Sequence, residues 1–259
     1  MVQPKAINLA GQPLGGGRMP AICAPLVGRT REQLLAEAAS VAAKRPDLLE
    51  WRVDFYDGIA DTAEVVRLAG SIKAAAGGIP LLFTRRSSRE GGEPIALLEP
   101  QVISLCGAVC ASGHVAFVDY EMGNTPDEVC EMRERSRAAG VQLVLSFHDF
   151  KGTPPLGELQ EKFALAEQLG ADVAKVAVMP RDMEDVLTLL AATLHASRTL
   201  PIPVVSMSMG GAGAVTRLAG GLFGSALSFA VGQQASAPGQ WPIDALETAL
   251  ALLRKASGT

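Results

Sequence analysis

The feature that most constrains this chain is a recurring unit, in which a strand-like apolar run is followed by a loop and then by a helix-like run. No charge block, low-complexity tract or change of composition between the units marks a linker. The strand-like segments span 22–28, 48–55, 80–86, 115–121, 141–149, 172–179, 203–209 and 221–229. The helix-like segments span 30–44, 61–76, 93–111, 125–139, 155–169, 181–198, 213–219 and 242–257.

Eight strand–helix units in a chain of 259 residues are the number that builds a (β/α)8 TIM barrel. We therefore predict an α/β fold in which residues 1–259 form a single barrel domain. A doubly wound open sheet is the alternative, because the repeat alone does not close a barrel. The glycine-rich start, GQPLGGGR (11–18), lacks the dinucleotide-binding spacing, and we interpret it as an N-terminal hairpin that caps one end of the barrel.

Capping residues predict where several helices begin and end. Thr30 and Asp61 precede helix-like runs, and Thr125 is followed by a proline that suits the first helical position. Gly140 and Gly170 stand where two helices are expected to end.

Composition excludes several functional classes. With 48% hydrophobic residues the chain can bury a large core, while its net charge of −4 provides neither the basic patch of a nucleic-acid-binding protein nor a polybasic membrane signal. The amino terminus does not resemble a signal peptide, and no run of about 18 apolar residues predicts a membrane span. The four cysteines lack zinc-like spacing, so we predict buried free thiols, no metal and a cytoplasmic location.

One predicted strand contains a residue that a buried strand should not hold. The segment DVAKVAVMP (172–180) is otherwise typical of a fully buried parallel strand, but its fourth residue is Lys175. Burying an ammonium group costs several kcal/mol unless the group is paired or loses its proton. The position of Lys175 therefore indicates a function.

Alternation of side chains assigns an inner and an outer face to each strand. In LLEWRVDF (48–55) the charged residues share one face and the bulky apolar residues share the other. The apolar face is expected to meet the helices, so the mixed face points into the barrel. The predicted inner set is Glu50, Arg52, Asp54, Asp119, Glu121, His148 and Lys175, with Arg86 at the end of its strand. Charges near the C-terminal ends of strands are typical of a barrel active site, although a neutralising ion-pair network is the alternative.

This set permits lysine-based covalent chemistry. An amine in a dry pocket beside other cations titrates below the ordinary lysine pKa of about 10.4, and a decrease of about three units, at a cost of about 4 kcal/mol, makes the neutral nucleophile common. Such an amine attacks a carbonyl to form an imine, which acidifies the adjacent carbon–hydrogen bond. We predict Lys175 as the nucleophile and His148, on a neighbouring inner face, as the base.

Three further features are weaker candidates on the residues alone. Glu90 lies in a loop after a strand, where glutamate is usually solvated. Arg217 lies near the start of a short helix, where a helix dipole and a guanidinium together can bind either a carboxylate or a phosphate. The segment SAPGQ (236–240) is either an ordinary turn or a loop that closes over a ligand.

Six short motifs, in order along nearly the whole chain, resemble those of the type I 3-dehydroquinate dehydratases. They are EWRVDF (50–55), FTRRSSREGGE (83–93), SFHDF (146–150), KVAVMP (175–180), SMGGAGAVTRLAGGLFGSALSF (208–229) and SAPGQ (236–240). The resemblance implies a TIM barrel of the shikimate pathway, and thus of aromatic amino acid biosynthesis. It implies syn elimination of water from 3-dehydroquinate to 3-dehydroshikimate without a cofactor, in a homodimer.

The resemblance also implies residue roles. Lys175 would form the imine, while His148 would act as the general base at C2 and protonate the departing hydroxyl. Glu90 would orient that histidine, and Arg217 would bind the substrate carboxylate. The residues implied to bind the hydroxyls or to close over the ring are Glu50, Arg52, Arg86, Ser236 and Gln240. Pro25 stands where some relatives carry serine, so no substrate contact is assigned to it.

Two other functions fit parts of the pattern. A class I aldolase would share the imine-forming lysine but would need a phosphate site after strands 7 and 8. A catalytically silent barrel could bind a small acid as a sensor, although the presence of both Lys175 and His148 argues against it.

Overall fold

The computed structural model describes residues 3–257. Its β-strands are β1 Asn8–Leu9, β2 Gln12–Pro13, β3 Ala21–Leu26, β4 Leu48–Arg52, β5 Leu81–Thr84, β6 Phe117–Glu121, β7 Gln142–Asp149, β8 Val173–Val178, β9 Val204–Ser208, β10 Leu227–Val231 and β11 Trp241–Pro242. Its α-helices are α1 Arg31–Ala42, α2 Thr62–Ala75, α3 Glu99–Ala111, α4 Pro126–Ala138, α5 Leu156–Gln168, α6 Met183–Thr199, α7 Gly210–Gly213, α8 Val215–Ala219 and α9 Ile243–Ser257.

Strands β3 to β10 form the predicted barrel, with helices following the strands. Each pairs in parallel with its neighbour from β3 to β9, and β10 pairs in parallel with β3. The remaining seam, between β9 and β10, is bridged where the backbone N–H of Ala226 donates to the carbonyl of Val204 at 2.8 Å. This bridge favours the barrel over the open doubly wound sheet.

Several of the predicted boundaries are wrong. The strand predicted at 221–229 begins only at Leu227, because the glycine-rich stretch before it forms a 3-10 turn, Gly220–Phe223. The helix predicted at 93–111 begins at Glu99, since the preceding residues form a loop in which the backbone N–H of Glu93 donates to Asp54. The short helix predicted at 213–219 is two pieces, α7 and α8.

The predicted capping residues lie at the helix ends. Thr30 and Thr125 form capping boxes at α1 and α4, and the Asp61 side chain accepts the backbone N–H of Glu64 at the start of α2. Each cap pairs backbone groups that the helix itself leaves without partners.

Alternation along the strands separates two cores. In β4, Leu49 and Trp51 point outward into the layer between barrel and helices, where Trp51 meets the Phe83 ring edge-on at 5.4 Å. Glu50 and Arg52 point inward, as predicted from the sequence. Asp54 also faces the interior, but it lies in a 3-10 turn after β4 rather than in the strand.

The N-terminal end of the barrel interior is apolar and is closed by the hairpin. Strands β1 and β2 pair in antiparallel fashion, and Ile7 and Leu14, on either side of the hairpin, pack inward. They meet a layer of residues from the starts of the barrel strands, namely Leu48, Leu82, Phe117, Val144, Val173, Val205 and Leu227. The glycine-rich start therefore caps one end of the barrel, as predicted.

Two further sequence predictions concern thiols and membranes. Cys23, Cys106 and Cys110 are buried, but Cys130 is exposed on α4, so the prediction of buried thiols is wrong for that residue.

Over residues 3–257, no helix has the length and apolar character needed to cross a bilayer.

Candidate active site

The charged residues predicted on the inner faces gather at the C-terminal end of the barrel. Most of the sequence-predicted site residues line a single narrow pocket there, namely Glu50, Arg52, Arg86, Glu90, His148, Lys175, Ser236 and Gln240. Because the barrel strands are parallel, their C-terminal ends meet at one mouth, which brings residues far apart in sequence together.

Lys175 is almost fully buried in the middle of β8. Its Nζ lies 3.0 Å from Oδ2 of Asp119 and 3.6 Å from Oε1 of Glu50, and 4.7 Å from the centroid of the Phe229 ring. The expectation that other cations surround this amine is wrong for its immediate contacts, since Arg86 lies on the far side of Asp119. The amine is thus held by two carboxylates and one aromatic face.

Asp119 and Glu121, both on β6, are tied to Arg86 in a buried network. Arg86 donates to Oδ1 of Asp119 at 2.7 Å and to Oε1 of Glu121 at 3.1 Å, and Ser146 donates to Oδ1 of Asp119 at 2.7 Å. Ser87 donates its backbone N–H and its hydroxyl to Glu121, both at 2.6 Å. Burial alone would lower the pKa of Arg86, but Asp119 and Glu121 raise it above its ordinary value.

His148 and Glu90 form a pair at the pocket wall. Glu90 ends a 3-10 turn, Ser88–Glu90, that follows β5. Its Oε2 accepts the backbone N–H of His148 at 3.0 Å and lies 2.8 Å from Nδ1 of the same residue. The same oxygen lies 3.6 Å from Nη1 of Arg86.

Burial pushes both members of this pair towards their uncharged forms. It raises the pKa of Glu90 to about 8, against the opposing charge of Arg86. Burial, followed by Arg86 and Lys175, lowers the pKa of His148 well below 6.5, and Asp119 only partly offsets this. A buried carboxylate–imidazolium ion pair is therefore disfavoured.

The contact between Glu90 and Nδ1 of His148 links the tautomer of the ring to the charge of the carboxyl group. Ionised Glu90 accepts the Nδ1–H, which leaves the Nε2 lone pair free to take a proton. Protonated Glu90 donates to Nδ1, which puts the ring hydrogen on Nε2, ready for donation. One pair can thus serve as a base and then as an acid.

Glu50 and Arg52 extend from β4 into the pocket, each held by a neighbour. Thr84 donates its hydroxyl to Oε1 of Glu50 at 3.0 Å. Arg52 forms a two-pronged ion pair with Asp54, at 2.9 Å to Oδ1 and 2.7 Å to Oδ2. Both side chains are therefore oriented before any ligand binds.

The SAPGQ segment lies over the pocket as a loop stabilised by its own contacts. The side-chain oxygen of Gln240 accepts the backbone N–H of Ser236 at 3.0 Å, and its amide nitrogen donates to the Ser236 hydroxyl at 3.2 Å. Nη1 of Arg52 lies 3.5 Å from the Ser236 carbonyl. The loop thus contacts the strand-borne charges directly.

The structure separates Arg217 from the other predicted residues. It lies in the five-residue helix α8, is only 2% exposed and stands behind the pocket wall. Its guanidinium donates to the carbonyls of Phe229 at 3.3 Å and Pro238 at 3.1 Å, while its Nε has no hydrogen-bond partner among residues 3–257. Burial lowers the pKa of Arg217 to about 10. It is a desolvated cation whose recorded partners are neutral.

Two aromatic contacts of the site are not among the features predicted from the sequence. Phe229 lies against the amine of Lys175, and alternation within β10 could have placed it inward beside Leu227. Phe150 lines the pocket, and a Cβ on Gly91, which has a φ of +82°, would lie 2.3 Å from its ring. No short sequence signal predicts that contact, because it depends on how two loops meet.

Among residues 3–257, no three His, Cys, Asp or Glu side chains are grouped as metal ligands. The acids of the pocket are paired with cations instead.

Comparison with known proteins gives consistent matches. The family model described as Type I 3-dehydroquinase matches residues 22–257. The chain is 57% identical over 258 residues to a 3-dehydroquinate dehydratase of Albidiferax ferrireducens, covering 100% of this chain and 98% of the relative. It is 52% identical to one of Aromatoleum aromaticum over 255 residues, covering 98% of each.

Solved structures agree in fold. The crystal structure of 3-dehydroquinate dehydratase from Geobacillus kaustophilus superposes with a TM-score of 0.94 at 50% identity, covering 98% of each chain. The type I enzyme from Clostridium difficile, solved with covalently modified comenic acid, has a TM-score of 0.92 at 33% identity and covers 98% of this chain and 99% of its own.

Proposed function

We propose that this chain removes water from 3-dehydroquinate through an imine formed on Lys175. The chain belongs to the type I 3-dehydroquinase family and is therefore a hydro-lyase acting on 3-dehydroquinate. The product is 3-dehydroshikimate, an intermediate of the shikimate pathway. The observation that carries the proposal is that Lys175 and His148, on the neighbouring strands β8 and β7, line the same pocket.

The first step joins the lysine nitrogen to the ketone of the substrate. The nitrogen attacks the carbonyl carbon, the carbonyl oxygen leaves as water, and an iminium ion remains. The iminium withdraws electrons from the adjacent carbon, which makes its proton removable. The Phe229 ring, whose centroid lies 4.7 Å from the nitrogen, supports the product of this step, because an aromatic face favours a positively charged iminium.

His148 removes the proton from C2, and the electrons expel the hydroxyl of the neighbouring carbon. Nε2 takes the proton while Nδ1 faces Glu90, and the same histidine then protonates the departing hydroxyl. The lowered pKa of His148 keeps the ring neutral at pH 7, and Nε2 is the basic nitrogen in the form of the pair in which Glu90 is ionised and accepts the Nδ1–H. Hydrolysis of the iminium by water then releases the product and restores the lysine.

The remaining residues bind and orient the substrate. Arg217 pairs with the substrate carboxylate, which is supported by the orphaned Nε of a buried guanidinium. Its side chain stands behind the pocket wall, so substrate binding includes a displacement of the Pro238 carbonyl that Arg217 now contacts. The groups that bind ring hydroxyls and close the site are Glu50, Arg52, Arg86, Ser236 and Gln240.

Borohydride capture tests the proposal, because reduction of an imine leaves a permanent bond. Wild-type protein treated with 3-dehydroquinate and borohydride should gain the mass of the reduced adduct on the peptide that carries Lys175. His148→Ala should still be captured but should eliminate water roughly 10²–10⁴-fold more slowly. Capture only with a sugar phosphate would support an aldolase instead, and binding without turnover would support a sensor.

A homodimer, which the family resemblance suggests, and a cytoplasmic location, which the free thiols favour, complete the proposal. Sedimentation at micromolar concentration tests the first, and a monomer would contradict it. Fractionation of the producing cells tests the second.

A further inference from the structure

Asp119 is the charged group nearest to the lysine nitrogen, yet the mechanism above gives it no role. Its Oδ2 lies 3.0 Å from Nζ of Lys175, closer than Glu50 at 3.6 Å. Asp119 is 1% exposed, so water does not screen the contact.

The carboxylate of Asp119 cannot turn away from this contact. Its other oxygen, Oδ1, accepts from Arg86 and from Ser146, each at 2.7 Å. Burial raises the pKa of Asp119, but Arg86 and then Lys175 outweigh it and lower the pKa below its ordinary value. Asp119 is thus a fixed anion throughout the working pH range.

A fixed anion at this position is compatible with imine formation because the reaction conserves charge. An ammonium ion and a ketone give an iminium ion and one water, so one positive charge stays on the nitrogen. The amine passes through its neutral form only when it attacks the carbonyl carbon. A neutral imine withdraws electrons poorly, so the step that follows depends on the nitrogen keeping its proton.

We propose that Asp119 is the counter-ion that keeps the imine of Lys175 protonated while His148 removes the proton from carbon. The inference rests on the proposed function and deepens it. Asp119 acts through the lysine and is therefore a positioning residue.

The other groups around the nitrogen are less suited to this task. Glu50 on β4 is farther away and also accepts from Thr84. Phe229 on β10 provides only its ring face, and Arg86 touches Asp119 rather than the lysine. His148 on β7 is needed as the base.

The test compares two isosteric substitutions on β6. Asp119→Asn removes the anion beside the lysine, whereas the matched control Glu121→Gln removes an equally buried anion that contacts Arg86 instead. We expect Asp119→Asn to move the alkaline limb of the kcat profile down by about one to three pH units, because the imine loses its proton more easily. Glu121→Gln should change the maximum value of kcat, because Glu121 contacts Arg86, but it should leave the alkaline limb of the profile at its wild-type pH.

A spectroscopic measurement separates this role from a general loss of structure. With substrate labelled with ¹³C at the ketone carbon, the bound adduct of wild-type protein should keep the iminium resonance across the profile. In Asp119→Asn, the resonance of the adduct should change from that of the iminium to that of the neutral imine within the same pH range. If Asp119→Asn does not fold, Ser146→Ala is the second variant, because it removes one of the two donors that hold Oδ1 of Asp119, together with an acceptor of Arg86. It loosens the carboxylate without removing its charge and should move the limb in the same direction by a smaller amount.

The outcomes are distinct. An alkaline limb and a resonance that stay unchanged in Asp119→Asn, or in a folded Ser146→Ala if Asp119→Asn does not fold, would overturn the inference. So would an equal shift in Glu121→Gln. Failure of the wild-type protein to form any adduct with 3-dehydroquinate would instead contradict the proposed function.

Discussion

The two halves of the barrel interior differ sharply although the same strands build both. In the lower half, β4 contributes Leu48 and β6 contributes Phe117 to an apolar layer beneath the hairpin. Two residues further along the same inward faces stand Glu50 and Asp119, in the charged half. Packing that stabilises the fold and groups that do chemistry are therefore divided by position along each strand rather than by secondary-structure element.

Lys175→Ala tests the upper half and should have the largest effect. Without the nitrogen no imine forms, so we expect turnover to fall on the order of 10⁴-fold or more. Thermal unfolding should shift modestly, because Asp119 keeps its bonds to Arg86 and Ser146. The measurements are steady-state kinetics and calorimetry.

A matched control for that substitution lies outside the barrel. Lys162 on α5 also lies over an aromatic ring, 4.8 Å from the centroid of Phe147, but is remote from the pocket. Lys162→Ala should retain wild-type turnover. A comparable loss of turnover in both variants would mean that the loss in Lys175→Ala does not come from removing an amine in the charged half of the barrel.

Phe117→Ala tests the lower half and should give the opposite result. Removing a buried phenylalanine side chain leaves a cavity beneath the charged layer, at a cost of about 3–5 kcal/mol in the free energy of unfolding. The folded protein should retain most of its turnover, as measured by denaturant titration and kinetics on the same sample. Loss of turnover in a protein that remains folded would show that the two halves are coupled.

Arg217→Ala should have the smallest effect of the three. Loss of the carboxylate contact should raise KM by about 10- to 150-fold, or about 1.5–3 kcal/mol, with little change in kcat. Arg217→Lys keeps the charge but not the fork of donors, and it should recover part of the affinity. A fall in kcat at constant KM would remove Arg217 from substrate binding and leave it a structural role behind the wall.

Much of this architecture can be predicted from the sequence because it depends on periodicity. Alternation in LLEWRVDF placed Glu50 and Arg52 inward, and a lysine within an apolar run pointed to the pocket. Glu90 needed the resemblance, since a loop glutamate has no period that predicts where it points.

What the sequence could not provide is geometry between segments. The carboxylate contacts of Lys175 depend on the register of β4, β6 and β8. Register sets how far along the barrel axis each side chain lies, and the alternation of side chains does not determine this. The withdrawn position of Arg217 depends on how α8 packs behind β10. The start of α3 at Glu99, later than predicted, depends on the loop that precedes it.

Within residues 3–257, the hairpin and the apolar layer close the pocket at its lower end, so a ligand reaches Lys175 from the C-terminal end of the barrel. Substrate, product and the expelled water must all pass the same rim, where residues 236–240 lie. The water that the reaction expels is therefore formed beside the route by which the next substrate reaches Lys175.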